Sequence, residues 1–307
     1  MSLRGVFQIL HTPFHENGDI DWESLDRQIE FCLRVGVHGL TIPANASEFY
    51  TLSDDERFQL VERALASIGG AVPVVVGVQA PTERAAVRFA GHAAERDASA
   101  VMAMPPLLRN GSPRVIRSYY TAIADVGLDT IIQNAPAPLG TPQTSQGLAD
   151  LLNSHTSISY VKEEVPPILH RISAAVRLGG SACKGVFGGA NGLVMVEELD
   201  RGGCGNMPAG GVVDVQVKIF DAYDRGDRES AVEMQARVFP LLFHAATYGA
   251  TFHKYLLWRR GILSSPAARD PQAIILDEED VRTIEERFAR IADLTAEGEP
   301  LTPVTGA

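Results

Sequence analysis

Ser157-Ile158-Ser159-Tyr160-Val161-Lys162 is the sixth of eight short, β-rich apolar runs that alternate with amphipathic helical stretches along the chain. Most of these runs lack period-two alternation, which is typical of parallel strands covered on both faces. Eight such βα units within 307 residues predict a single (β/α)8 (TIM) barrel of the α/β class. The predicted strands are 6–11, 39–43, 72–78, 100–104, 129–134, 157–162, 181–186 and 203–207.

Predicted helix N-caps mark where strands give way to helices, and a change of pattern after the eighth run divides the chain. Asp21, Ser53 and Thr82 each precede an acidic first turn and are predicted N-caps. After the eighth run the pattern is wholly helical, over residues 212–223, 228–246, 252–263 and 278–294. We therefore expect a barrel over 1–225, a C-terminal helical appendage over 226–296, and a loosely held tail over 297–307.

Composition excludes several classes of function. The net charge is −11, and no Lys/Arg cluster offers a footprint for a phosphate backbone, so no nucleic-acid partner is expected. The longest apolar runs are far shorter than the roughly 20 residues of a membrane helix, and no signal segment is evident. We predict a cytoplasmic protein with no membrane partner. The histidines and cysteines lack metal-ligand spacing, and the glycine-rich stretches match no nucleotide-binding pattern, so neither a metal nor a cofactor is expected.

Lys162 is the first candidate for chemistry, because active sites of these barrels lie at the carboxyl ends of the strands. Burial disfavours an ammonium ion and favours the neutral amine that attacks a ketone. Alternatively, the lysine leaves the strand to meet solvent or to pair with Glu163 or Glu164, and position alone leaves both interpretations open. The chain has only three other lysines. Lys184 lies near the end of the seventh run and competes, although a snorkelling lysine is favoured there. Lys218 and Lys254 lie in helical stretches and are weaker candidates.

Two further strand-end segments complete a predicted pocket. After the second run, Ala46 lies between Asn45 and Ser47, whose side chains, together with the local backbone amides, can hold a carboxylate. After the seventh run, Gly188 and Gly189 permit close approach of the backbone to a ligand. Either segment can equally be a plain turn, so these substrate-binding assignments are hypotheses.

An ordered set of short motifs extends over nearly the whole chain. The motifs are Thr12-Pro13-Phe14, Asn17-Gly18-Asp19-Ile20-Asp21, Ser47-Glu48-Phe49, Leu52-Ser53-Asp54-Asp55-Glu56-Arg57, Pro105-Pro106, Asn134-Ala135-Pro136 and Val161-Lys162. In this order they resemble the dihydrodipicolinate synthase and N-acetylneuraminate lyase family of Schiff-base aldolases and dehydratases. The resemblance implies that Lys162 forms the imine, that the substrate is a small 2-keto acid, and that the protein is a homo-oligomer, either a tetramer or a dimer.

The chain also departs from the pattern of this family. Residues 44–48 replace a loop that usually offers a pair of hydroxyl groups, and Gln133 replaces the tyrosine that shuttles protons. Pro106-Leu107-Leu108 lacks the tyrosine that reaches a neighbouring subunit. Ala137-Pro138-Leu139 lacks the arginine of dihydrodipicolinate synthases, so that activity is not expected. The combination is most similar to 2-keto-3-deoxy sugar acid dehydratases, especially the L-2-keto-3-deoxyarabonate type.

The resulting hypothesis is a dehydration through an imine. Lys162 attacks the C2 ketone, the iminium acidifies the C3 protons, and the enamine expels the C4 hydroxyl. Strand alternation places Glu164 on the same face as Lys162 if the strand extends that far, as a candidate acid and base, although a solvated loop carboxylate is equally compatible. Gln133 hydrogen-bonds the substrate. Two alternatives remain open, a class I pyruvate-dependent aldolase or hydratase-aldolase, and a non-catalytic protein that binds a keto acid.

Overall fold

The eight strands close into a barrel. The computed structural model describes residues 2–106, 111–136, 140–298 and 301. Each strand pairs in parallel with the next one in sequence, and the last pairs with the first. The strands are β1 Gly5–Ile9, β2 Gly39–Ile42, β3 Val74–Gly77, β4 Ala100–Ala103, β5 Asp129–Asn134, β6 Ile158–Glu163, β7 Gly185–Gly188 and β8 Gly205–Asn206. The predicted (β/α)8 barrel is confirmed.

The helices surround this barrel and extend beyond it. Asp21, Ser53 and Thr82 each accept a hydrogen bond from a backbone N–H of the first helical turn, so the three predicted N-caps are confirmed. The helices are α1 Trp22–Arg34, α2 Asp54–Ile68, α3 Glu83–Glu95, α4 Pro113–Ala124, α5 Ser145–Leu152, α6 Ile168–Gly179, α7 Met195–Asp200, α8 Val213–Asp224, α9 Arg228–Tyr248, α10 Ala250–Arg259 and α11 Glu278–Ala289.

The seventh strand is the least accurately predicted element. The prediction begins at residue 181, whereas β7 begins at Gly185, because Gly180–Ala182 forms a 3-10 turn that follows α6. Lys184 therefore precedes the strand, and its half-exposed amine pairs with Asp129 at 2.7 Å. The strand also ends later than predicted, at Gly188, a residue that the sequence pattern places in the following loop.

Side chains of the strands alternate between the barrel interior and the layer under the helices. On β6, Tyr160 belongs to the interior cluster, and Val161 packs in the outer core between strands and helices. Lys162 therefore faces inward, one layer above Tyr160, and its strand neighbours are Gln133 on β5 and Phe187 on β7. This register places the amine at the carboxyl mouth of the barrel.

The helices after the barrel close over that mouth. The helix α9 packs against α7, α8 and α11. Gly249 has a φ of 54°, which suits glycine, and breaks the chain direction between α9 and α10. No helix in the described ranges has the length and apolar composition that crossing a membrane requires. The division at residues 225 and 296 stays a prediction, and most of the predicted tail lies outside the described residues.

Candidate active site

A cavity of about 480 Å³ lies at the carboxyl mouth of the barrel. This volume lies in the range typical of small-molecule sites, and the position is the one where barrel enzymes carry their chemistry. Its apolar lining includes Ile9, Met104 and Met207. The polar residues that line it are Asn45, Tyr50, Gln133, Lys162, Glu164, Asn191, His253 and Asp270.

The three predicted catalytic residues form a connected chain of contacts in this cavity. Lys162 is 2% exposed, and its Nζ lies 3.1 Å from Oε1 of Glu164. The other carboxylate oxygen of Glu164 accepts a hydrogen bond of 2.8 Å from Nε2 of Gln133. The backbone N–H of Glu164 donates to the carbonyl of Asn134, so the strand pairing continues past Glu163 and turns Glu164 inward. Glu164 can therefore exchange a proton directly with the amine of Lys162.

The neighbouring carboxylate, Glu163, faces the opposite side of the strand. It accepts hydrogen bonds from Nδ2 of Asn134 and from the backbone N–H of Val165, and Nε of Arg171 lies 3.4 Å from it. Burial raises the pKa of Glu163, and these partners oppose the rise. The alternative pairing of Lys162 with Glu163 is therefore excluded, and the pairing with Glu164 is present inside the barrel rather than in solvent.

Gly188 and Gly189 make room for carboxyl groups rather than lining the cavity. A Cβ on Gly189 would lie 2.4 Å from Cγ of Glu164, and one on Gly188 would lie 1.9 Å from Oε2 of Glu198. The space that these two glycines leave is occupied by the carboxyl groups of Glu198 and Glu164, whereas the prediction reserved it for a ligand. The cavity lining from this loop comes from Ala190 and Asn191.

Glu198 on α7 is a buried carboxyl that no sequence motif indicates. Its Oε2 accepts a hydrogen bond of 2.7 Å from Asn206, which also donates to the carbonyl of Gly189. Burial raises the pKa of Glu198 to about 8, against the hydrogen bond from Asn206 and with a contribution from the charge of Glu164. At neutral pH this raised pKa favours the protonated form of the carboxyl group, which lies behind the strand end that flanks Lys162. In the sequence, Glu198 is indistinguishable from a solvated helix residue.

The turn after β2 presents two of its three predicted binding residues to the cavity. Asn45 and Ala46 line it. Ser47 does not, because its hydroxyl donates to the carbonyl of Leu10 and accepts from the N–H of Ala44 at 2.9 Å. The predicted contact of Ser47 with a substrate is therefore corrected to a structural role, in which it fixes the turn that presents the other two residues.

The far wall of the cavity comes from parts of the chain that no motif indicates. His253 belongs to α10, and Asp270 lies in the irregular segment that follows it. The hydroxyl of Tyr50 donates to Oδ2 of Asp270 at 2.8 Å. The backbone N–H groups of Arg269 and Asp270 both donate to Oε2 of Glu48, which ties this segment to the turn after β2. The C-terminal helices thus complete the site.

Two motifs from the sequence analysis, Leu107-Leu108 and Ala137-Pro138-Leu139, lie outside the described residues. Within the described ranges, no group of three or more His, Cys, Asp or Glu side chains is arranged to hold a metal ion.

A closed (β/α)8 barrel in which an amine, a carboxylate and several amides meet in one cavity at the carboxyl mouth is a barrel enzyme. More particularly, the chain belongs to the dihydrodipicolinate synthetase family, whose sequence model matches residues 2–287. Members of this family are lyases, and this protein is one of them.

Three relatives illustrate the similarity. The chain is 30% identical over 274 residues to the L-2-keto-3-deoxyarabonate dehydratase of Azospirillum brasilense, covering 87% of this chain and 88% of that protein. It is 30% identical over 248 residues to a 4-hydroxy-tetrahydrodipicolinate synthase of Methanospirillum hungatei, covering 80% and 84%. The crystal structure of dihydrodipicolinate synthase from Rhodopseudomonas palustris superimposes with a TM-score of 0.86 at 26% identity, covering 94% and 97%.

Proposed function

We propose that this lyase dehydrates a 2-keto-3-deoxy sugar acid through an imine on Lys162. The observation that carries the proposal is the 3.1 Å contact between the amine of Lys162 and Glu164, in a cavity that Gln133 also lines. The similarity to an L-2-keto-3-deoxyarabonate dehydratase supports the same reaction.

Imine formation needs one proton acceptor beside the amine. Glu164 takes the proton of the ammonium group, and the neutral amine of Lys162 attacks the C2 ketone of the substrate. The carbinolamine then loses its hydroxyl as water, with the proton returned by Glu164, and an iminium remains. The short distance between the two side chains allows both transfers without an intervening group.

The dehydration itself uses the same carboxylate. The iminium acidifies C3, Glu164 removes a C3 proton, and the enamine expels the C4 hydroxyl with that proton as water. A proton then moves from C5 to C3, which leaves an enol at C4 and C5. The enol becomes the aldehyde when its hydroxyl proton moves to C4, and hydrolysis of the imine releases the semialdehyde. Gln133 holds Glu164 through its amide N–H and cannot transfer protons. Aldol cleavage needs a base on the C4 hydroxyl, and Gln133 cannot serve as one, so its presence favours dehydration.

The remaining lining fits the two ends of such a substrate. Asn45 and Ala46 lie together on the turn after β2 and are proposed to bind the carboxylate of the keto acid. Asp270, held by the hydroxyl of Tyr50, offers an acceptor for the hydroxyl groups of the sugar acid tail. The cytoplasmic location and the homo-oligomeric state stay predictions from the sequence.

The reaction is tested by identifying the products. The purified protein is incubated with L-2-keto-3-deoxyarabonate, and the semialdehyde and pyruvate are assayed separately, with Lys162→Ala as the control. We expect the semialdehyde from the unchanged protein, no pyruvate, and neither product from the variant. Equal amounts of pyruvate and an aldehyde would instead identify an aldolase. Imine formation without either product, across a panel of 2-keto-3-deoxy acids, would identify a protein that binds keto acids without converting them.

A further inference from the structure

His253 is a buried imidazole that borders the cavity and has no role in the steps above. It is 2% exposed and lies on α10. Its Nδ1 accepts a hydrogen bond from the backbone N–H of Gly211 at 3.3 Å. Burial lowers its pKa to about 3, so the ring is neutral at physiological pH. Because a neutral imidazole carries one N–H, and Nδ1 is an acceptor, the proton lies on Nε2.

That Nε2–H donor is left without a partner. Nε2 is buried, and no group in the described part of the chain accepts a hydrogen bond from it. A buried donor without an acceptor is unfavourable, and folded proteins retain few of them. Since His253 lines the cavity, an oxygen atom of a bound ligand can supply the missing acceptor.

The position of His253 indicates which ligand oxygen this is. Its ring centroid lies 5.5 Å from that of His11, which is buried just after β1. The two chain neighbours of His11 contact the turn after β2, because Oγ of Ser47 donates to the carbonyl of Leu10 and Oγ1 of Thr12 donates to the carbonyl of Ser47. Burial, and then His253 and Lys254, hold the pKa of His11 well below its usual value. The two rings therefore lie beside the turn that presents Asn45 and Ala46, on the side of the cavity where the keto-acid carboxylate is proposed to bind.

We propose that His253 binds the carboxylate of the 2-keto acid through its Nε2–H, and so replaces a hydroxyl donor that the turn after β2 lacks. This inference rests on the proposed function, because it takes the ligand of the site to be a keto acid. It assigns a substrate-binding role to a residue of α10, which is far from that turn in the sequence. The carboxylate then receives donors from both the barrel and the C-terminal helices.

The test distinguishes binding of the substrate carboxylate from reaction at the ketone. Pyruvate and hydroxyacetone are similar in size and both carry a ketone, but only pyruvate carries a carboxylate. The full-length protein, His253→Phe and His253→Gln are each incubated with either compound and borohydride, and the adduct is quantified by mass at subsaturating concentrations. His244→Phe, on α9 and away from the cavity lining, is the matched control.

We expect His253→Phe to weaken half-saturation by pyruvate about 10- to 100-fold, the usual range for a lost hydrogen bond to a charged group. Trapping of hydroxyacetone should change less than about 2-fold, because that ligand has no carboxylate to lose a donor. His253→Gln should restore part of the affinity for pyruvate, since its amide N–H can reach a similar position. His244→Phe should leave both ligands unaffected.

A parallel loss for pyruvate and hydroxyacetone would show that His253 only supports the fold, and an unchanged affinity for pyruvate would equally overturn the inference. Absence of any adduct in the unchanged protein would instead remove the proposed function. In that case, calorimetric titration of the unchanged protein and of His253→Phe with pyruvate decides the role of His253, because carboxylate binding does not require an imine. Equal affinities, or no binding by either, would reject that role.

Discussion

Lys162 and Lys254 are both buried, and each has a glutamate beside its amine, yet their surroundings differ. The amine of Lys254 pairs with Glu48, donates to the carbonyl of Ala267 at 2.9 Å, and lies 4.4 Å over the ring of Phe14. The amine of Lys162 contacts Glu164 at 3.1 Å and borders an open cavity. Burial and a carboxylate partner are therefore not enough to define a nucleophile. Space for a ketone beside the amine is the additional requirement.

The region around Lys254 holds the wall of the site together. Burial lowers the pKa of Lys254, and the charge of Glu48 opposes that change. Glu48 also accepts the backbone N–H groups of Arg269 and Asp270, so one carboxylate joins α10, the turn after β2 and the segment that follows α10. We therefore assign the chemistry to Lys162 and a structural role to Lys254.

The largest expected effect is on activity at Lys162. Replacing it with alanine removes the covalent route, so kcat/KM should fall about 10⁴-fold or more. The unfolding free energy should change less than at Lys254, because the side chain of Glu164 is 19% exposed whereas that of Glu48 is fully buried. Activity assays and urea unfolding measure the two effects. Lys184→Met is the matched control, since this half-exposed lysine pairs with Asp129 outside the site, and it should retain activity within about 2-fold. A loss of similar size in both variants would contradict the assignment.

The opposite result is expected at Lys254. Lys254→Met leaves Glu48 buried without its cation, so the unfolding free energy should fall by about 3–5 kcal/mol. Chemical denaturation measures this change, and the double variant Lys254→Met with Glu48→Gln should recover part of the loss because the unpaired charge is gone. A change in the unfolding free energy below about 1 kcal/mol would show that the Lys254–Glu48 pair does not stabilise this wall of the cavity.

Glu164, the carboxylate partner of Lys162, extends the comparison between the two lysines. Glu164→Gln keeps the hydrogen-bonding shape beside Lys162 but cannot accept a proton, so kcat should fall about 100-fold. The unfolding free energy should change little, unlike that of the Lys254 variant. Rapid-quench turnover, measured beside borohydride trapping of the imine, locates the affected step. Unchanged kcat would remove Glu164 from the mechanism.

The last expected effect concerns Glu198 behind the site, and it is on the pH dependence of stability rather than on activity. The pKa of Glu198 rises from 4.5 in a free glutamate to about 8 in the folded protein. The folded state therefore keeps a proton that the unfolded chain releases between these two values. The contribution of Glu198 to stability is complete below about pH 4.5 and falls by up to about 1.4 kcal/mol per pH unit as pH rises toward the folded pKa.

Urea unfolding across this pH range compares the protein with Glu198→Gln, whose amide keeps the neutral form at every pH. We expect the stability of the variant relative to the unchanged protein to increase as pH rises. Parallel pH profiles would show that Glu198 is ionised in the folded state at neutral pH.

The sequence predicts the barrel and its inner site residues because both depend on local pattern. The run over residues 129–134 coincides with β5, and alternation along β6 places Glu164 beside Lys162. The run at 181–186 overlaps β7 only at its last two residues, because its first two residues belong to a 3-10 turn that follows α6. His253 and Asp270 escape prediction for a different reason. His253 reaches the cavity through the docking of α10 on the barrel, and Asp270 through the segment that Glu48 ties to the turn after β2. Neither contact leaves a periodic signal in the sequence.

The most direct test of the account is to locate the imine. The unchanged protein is incubated with pyruvate and borohydride, digested, and mapped by mass spectrometry. We predict one reduced adduct, on the peptide that contains Lys162, and its loss in Lys162→Ala. An adduct on Lys254 or Lys184, or no adduct on any lysine, would contradict the central claim.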